Sequence, residues 1–181
     1  YKMMNEAIIF ATKAHEGQLR KVSESPFTMH PLAVGCMLSD AGEDEDVVVA
    51  GILHDTVEDT AVTLAQIRET FGHAVAQLVD GCSENKALSW KERKENTIEF
   101  LKTASEKVCI FTCADKVHIL SVSVDGIQKL GEDFFVHFNK GYPEQKWYYE
   151  SIKKVLATHI PNHPLFKTYE KLYEEAFGSE V

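Results

Sequence analysis

The sequence predicts an all-α protein organised as a single domain, and three observations predict it. Apolar residues recur at three- and four-residue spacing along most of the chain, the period of a helix with one buried face. Two capping boxes, Thr63 to Gln66 and Ser89 to Glu92, mark helix starts. Only Val47 to Leu53 is β-branched and apolar enough to be read as a buried strand, and no second such run lies nearby to pair with it. A length of 181 residues suits one domain, and no repeat, low-complexity tract or linker divides it.

The elements follow in order. Ala7, Ile8, Ala11 and Ala14 form the stripe of a first helix closed by Gly17. Leu32, Val34, Met37 and Leu38 continue a second, opened at His30-Pro31 and stopped near Gly42. Asp44 or Asp46 caps the run Val47 to Leu53, read as a buried helix because the polar face continues at helical spacing through His54, Asp55, Glu58 and Asp59. Thr63 opens a helix ending at Gly72, and Ser89 one that reaches about Thr103. Val108 to Leu120, Tyr142 to His159 and Pro164 to Phe177 complete the set.

Composition narrows the function. Nineteen basic against 28 acidic residues leave a net charge of −9. The chain therefore lacks the basic footprint of a DNA- or RNA-binding protein or of one held on an anionic membrane. A small phosphorylated ligand needs only a local cluster of cations and stays open. The run Val47 to Leu53 is far shorter than the ~20 residues of a membrane helix. No signal-peptide core follows Tyr1, so the expected location is the cytoplasm. Cys36, Cys82, Cys109 and Cys113 are too few and too irregular for a disulfide framework, and the pair at 109 and 113 reads as buried thiols.

The informative residues are acids and histidines where a core helix should be apolar. His54 and Asp55 end the run from Val47, and Asp115 interrupts the apolar stretch from Cys109 before Val117. Burying an ionised aspartate is costly unless it is paired or bound to a cation. One divalent ion would satisfy both sites. Imidazole and carboxylate suit Mn²⁺, Fe²⁺ or Zn²⁺, and oxygen-rich mixtures lean to Mn²⁺. Consecutive residues on a helix diverge by roughly 100°, so further ligands must come from other helices, with His30 and Asp115 the candidates. The plain alternative is a capped helix end with a salt-bridged aspartate. Glu58 and Asp59, four residues after His54 and Asp55, add the acids that take a proton from metal-bound water. Arg20 and Lys21, just after Gly17, either hold a phosphate or complement a helix C-terminus.

Four ordered stretches, Ala14-His15-Glu16-Gly17-Gln18-Leu19-Arg20-Lys21, Pro26-Phe27-Thr28-Met29-His30-Pro31, His54-Asp55-Thr56-Val57-Glu58-Asp59-Thr60 and Ala114-Asp115-Lys116-Val117-His118, resemble the hydrolase domain of RelA/SpoT-type alarmone enzymes. These belong to the HD superfamily of metal-dependent phosphohydrolases, and the compact length resembles their small stand-alone members. Phe138-Asn139 and Gln145 to Tyr149 resemble the tail of such proteins. The resemblance implies one HD domain over residues 1–181: a motif core of about 7–120, with helices of 121–181 packed on it. It implies a helical bundle around one metal, usually Mn²⁺, held by His30, His54, Asp55 and Asp115. Glu58 and Asp59 would activate and orient water, and Arg20 and Lys21 would contact the nucleotide. The implied reaction is hydrolysis of ppGpp or pppGpp to pyrophosphate and GDP or GTP. A homo-oligomer is compatible with all of this.

Two positions depart from the family pattern. Ile119 stands where an asparagine contacts the nucleotide, and Phe27 where tyrosine is common. The lost amide motivates a second reading, an HD phosphohydrolase acting on another nucleotide such as NADPH 2′-phosphate or a nucleoside monophosphate. A non-catalytic alarmone-binding module and a metal-free helical interaction domain are the readings from other classes. His15 is read as structural, and Trp147, Tyr148 and Tyr149 as packing for the last helices.

Overall fold

The computed structural model describes residues 1–138 and 140–178; Asn139, part of the family resemblance, lies outside them. Among the described residues the regular structure is helical, with one isolated antiparallel bridge, Leu19 to Pro26. The chain divides into two compact units, residues 1–88 and 89–181.

The first unit is built around a buried helix. Helices α1 (Lys2–Ala14), α2 (Met29–Asp40), α3 (Glu45–Leu53), α4 (Thr56–Asp59), α5 (Leu64–Phe71) and α6 (His73–Gly81) follow in order. Every residue from Val47 to Leu53 is buried, because α1, α2 and α6 all pack on α3. A helix enclosed on all sides has no polar face, so the run that resembled a strand is a core helix, as expected. Two glycines let α2 and α3 approach closely. A methyl group at Gly35 would lie 2.5 Å from Ile52 Cγ1, and one at Gly51 2.7 Å from Leu38 Cδ1.

The capping box at Thr63 forms in full, with Gln66 reaching back to the Thr63 N–H. Helix α6 was not expected. Gly72, taken as a stop, has φ +96° and serves as both the end of α5 and the start of α6. The new helix buries Val75, Ala76, Leu78 and Val79.

The second unit contains α7 (Trp90–Lys102), α8 (Glu106–Leu130), a 3₁₀ segment (Gly131–His137), α9 (Tyr142–His159) and α10 (Pro164–Phe177). Ser89 forms its expected capping box, and the limits of α9 and α10 match the sequence reading. Helix α8 is longer than expected, running past Leu120 to Leu130. Its apolar stripe continues through Val124, and Gly126 leaves room for the Phe134 ring. Helices α9 and α10 both pack on α8. The buried Tyr169 hydroxyl donates to the Tyr149 carbonyl at 2.7 Å, so this aromatic core carries a satisfied polar group. Tyr148 and Tyr149 are buried in it as expected, and Trp147 is half-buried. Cys109 and Cys113 are buried free thiols, and burial pushes the Cys113 thiol well up, which makes it inert. Among the described residues no helix is long and apolar enough to cross a membrane.

Candidate metal centre and its acid pair

The site begins where α3 ends. The last carbonyls of a helix lack intrahelical partners, and here side chains take two of them. His54 Nδ1 lies 2.6 Å from the Gly51 carbonyl oxygen, and Thr56 Oγ1 donates to the Leu53 carbonyl at 2.7 Å. The helix therefore stops at Leu53, and α4 restarts as a single turn. His54, Asp55, Glu58 and Asp59 thus do not ride one unbroken helix.

A carbonyl oxygen only accepts, so His54 Nδ1 carries the proton and Nε2 offers its lone pair. That Nε2 lies 3.1 Å from Asp55 Oδ2. His30 Nε2, from the first turn of α2, lies 3.6 Å from the same oxygen. The two imidazoles stand 5.3 Å apart, nearly perpendicular. Both histidines are buried and Asp55 nearly so. A lone pair and a carboxylate oxygen at 3.1 Å repel unless a proton or a cation lies between them. Backbone support of the far nitrogen is the arrangement that fixes a metal-binding histidine. The donors fit a divalent metal of borderline softness.

The acids cluster beside this group. One carboxylate oxygen each of Asp55, Glu58 and Asp59 lies within 4.8 Å of the others. Glu58 is pushed up to about 6, first by burial and then by the charges of Asp55, Glu84 and Asp59, although the Glu84 N–H donates to it and opposes the rise. The Lys86 ammonium stands 2.6 Å from Asp59 Oδ1, and that hydrogen bond raises the lysine's own pKa. The two acids are therefore unlike: Glu58 is half-buried and proton-hungry, whereas Asp59 is paired with a lysine. The loop carrying Glu84 and Lys86 clamps both, and sequence reading missed it because a loop has no periodicity to mark it.

Arg20 and Lys21 lie in a turn beyond α1. The Arg20 N–H donates to Ser25 at 2.8 Å, the Phe27 N–H to Gln18 at 2.8 Å, and Glu24 at the apex has φ +55°. The Arg20 guanidinium lies over the Phe27 ring, 5.7 Å from its centroid. Phe27 in turn sits 4.9 Å from the His15 ring and 6.3 Å from the His30 ring. Phenylalanine supplies this platform without the family hydroxyl. Lys21 is exposed.

His30, His54, Asp55, Glu58, Asp59, Arg20 and Lys21 thus all belong to the first unit, and the structure brings the first five together there. Asp115 belongs to the second, on α8, where Lys116 Nζ lies 3.0 Å from its Oδ2 and also faces the Tyr148 ring at 5.4 Å. Ile119 is half-buried one helical turn further along α8.

An all-helical fold with paired histidines and acids at a helix break defines a protein with a candidate divalent-metal site. Residues 7–131 match the HD domain family, and the chain belongs to it. Among curated proteins, the bifunctional (p)ppGpp synthase/hydrolase SpoT of Escherichia coli is 34% identical over 123 residues, covering 65% of this chain and 17% of SpoT. The guanosine-3′,5′-bis(diphosphate) 3′-pyrophosphohydrolase MESH1 of Danio rerio is 36% identical over 118 residues, covering 64% of this chain and 66% of MESH1. The chain thus spans about a sixth of SpoT and just under two thirds of MESH1. A crystal structure of lmo0812 from Listeria monocytogenes EGD-e superposes with a TM-score of 0.77 at 41% identity, covering 83% of this chain and 99% of that one.

Proposed function

We propose that the protein is a metal-dependent guanosine-3′,5′-bis(diphosphate) 3′-pyrophosphohydrolase, which converts ppGpp or pppGpp to GDP or GTP and pyrophosphate. The observation that carries this reading is the Asp55 carboxylate held between two imidazole nitrogens beside the unlike acids Glu58 and Asp59. Relatives named as hydrolases of this substrate support it. His30, His54, Asp55 and Asp115 would hold one Mn²⁺. The ion would supply a Lewis acid for the phosphoryl oxygens and lower the pKa of bound water.

The chain's own residues account for the remaining parts. Glu58, with a proton affinity near the operating pH, takes the proton from the attacking water. Asp59, fixed by Lys86, orients that water as a hydrogen-bond acceptor. Arg20 and Lys21 neutralise the phosphates, with Arg20 braced on Phe27. The water oxygen bonds to the phosphorus attached to the ribose 3′-oxygen, the P–O3′ bond breaks, and the ribose oxygen leaves and is protonated.

The single-domain reading over 1–181 is part of the proposal, because the family match at 7–131 runs across the boundary of the two units. A cytoplasmic location goes with a nucleotide substrate. Ile119, one turn from Asp115, favours one second reading: the same chemistry on another nucleotide. Incubating the Mn²⁺-loaded protein with ppGpp, NADPH and nucleoside monophosphates separates the two. Pyrophosphate release from ppGpp supports the first; turnover confined to another nucleotide replaces it with the second. Tight ppGpp binding without turnover in several metals would leave a binding module instead.

A further inference from the structure

Gln18 makes four hydrogen bonds, one of them from its backbone N–H to the His15 carbonyl at 3.0 Å. Its backbone carbonyl accepts the Phe27 N–H at 2.8 Å and so closes the Arg20–Lys21 turn. Its side-chain Nε2 donates to the Asp59 carbonyl at 2.7 Å, and its Oε1 lies 2.9 Å from His15 Nδ1. Because the Asp59 carbonyl only accepts, the amide can face only one way, and His15 Nδ1 must carry the proton that Oε1 accepts.

His15 is 1% exposed, and among the described residues its Nε2 has no hydrogen-bond partner. A buried unpaired acceptor costs stability that a phenyl ring of similar shape would not. Packing alone therefore does not account for an imidazole here; the directed Nδ1–H does. The same ring also lies against Phe27, the platform under Arg20.

We infer that His15 is a positioning residue that orients Gln18, and through it ties the Arg20–Lys21 turn to the end of the helix carrying Glu58 and Asp59. This rests on the hydrolase reading above. The tie sets where the phosphates are held relative to the acid that takes the water's proton. Misplacement of such groups by about 1 Å costs about 100-fold in rate.

The test uses the full chain with Mn²⁺. His15→Phe and Gln18→Leu should each lower kcat/KM for ppGpp by about 10- to 100-fold, mainly in kcat. His15→Asn places an amide N–H where Nδ1–H stood and should recover activity to within about threefold of wild type, because it restores the donor that orients Gln18. The double variant His15→Phe/Gln18→Leu should be no worse than the poorer single variant. Losses that add, an Asn variant as poor as the Phe variant, or losses confined to KM would overturn the inference. If His15→Phe does not fold, Gln18→Glu takes its place: it keeps the acceptor for His15 but lacks the donor to Asp59, and wild-type kcat there overturns the tie. Amide exchange at Asp59 and Thr60 reads the tie without turnover. It should accelerate in Gln18→Leu, and unchanged exchange sinks the inference even where wild type hydrolyses ppGpp. Wild-type protein that hydrolyses no ppGpp, with exchange accelerated in the variant, would instead sink the hydrolase reading.

Discussion

His54 donates its Nδ1–H to the Gly51 carbonyl across 2.6 Å, and that bond decides which ring nitrogen is chemically available. The lone pair on Nε2 is left aimed at Asp55, 3.1 Å away, with no freedom to exchange tautomers. A buried lone pair facing a carboxylate calls for a cation.

Mn²⁺ should therefore stabilise the protein as well as activate it. At 100 times its dissociation constant a ligand adds about 2.7 kcal/mol, which raises the Tm by about 5–10 °C in a chain of this size. His54→Ala should abolish both the shift and the bound metal. Thermal scans with Mn²⁺ and with EDTA, together with elemental analysis, check this; identical Tm values for the two conditions would count against the centre.

Glu58→Gln should lower kcat by about 10²- to 10⁴-fold, the range for a lost general base. The base acts only when ionised, and Glu58 titrates at about 6, so kcat/KM should rise with pH through that value and level off above it. Stability of the metal-free protein should move the other way. A carboxyl whose folded pKa exceeds its ordinary 4.5 takes up a proton on folding. Its contribution is fully present below 4.5 and is lost as pH rises through about 6. Urea unfolding of metal-free wild type and Glu58→Gln across pH 4–7 should show their difference changing in that window.

Lys86 pairs with Asp59 from a half-exposed position, and exposed ion pairs contribute less than about 1 kcal/mol. Lys86→Met should accordingly leave the Tm within a few degrees of wild type. It should nonetheless shift the acid limb of the pH–rate profile upward, because a cation facing the acid cluster is gone. A profile that stays in place would mean that Lys86 does not influence Glu58.

Gly35→Ala should be the more costly of two matched substitutions at the α2–α3 crossing. The new methyl meets Ile52 at its branch, 2.5 Å away, whereas Gly51→Ala meets the rotatable end of Leu38. Overpacking costs about 1–3 kcal/mol, partly offset by about 1 kcal/mol of helix propensity. A drop in Tm of a few degrees for Gly35→Ala, with little change for Gly51→Ala, is the expected scan. Mn²⁺ affinity should fall with Gly35→Ala, since α2 carries His30.

What the sequence determined by itself was local. Capping boxes at Thr63 and Ser89 are bonds between residues three apart, and the limits of Tyr142–His159 and Pro164–Phe177 follow from prolines, glycine and a repeating apolar stripe. His54, Asp55, Glu58 and Asp59 were legible because polar residues at the end of an apolar helix need a partner. Helix α6 was not, because a glycine that ends one helix says nothing about whether another begins at the next residue. Tertiary structure alone decided that Lys86 reaches Asp59 across 27 positions and that Gln18 reaches it across 41. Such contacts depend on how helices pack around α3. Propensity and periodicity extend only over a turn or two, so nothing within a few residues of Gln18 or Lys86 encodes where its side chain ends.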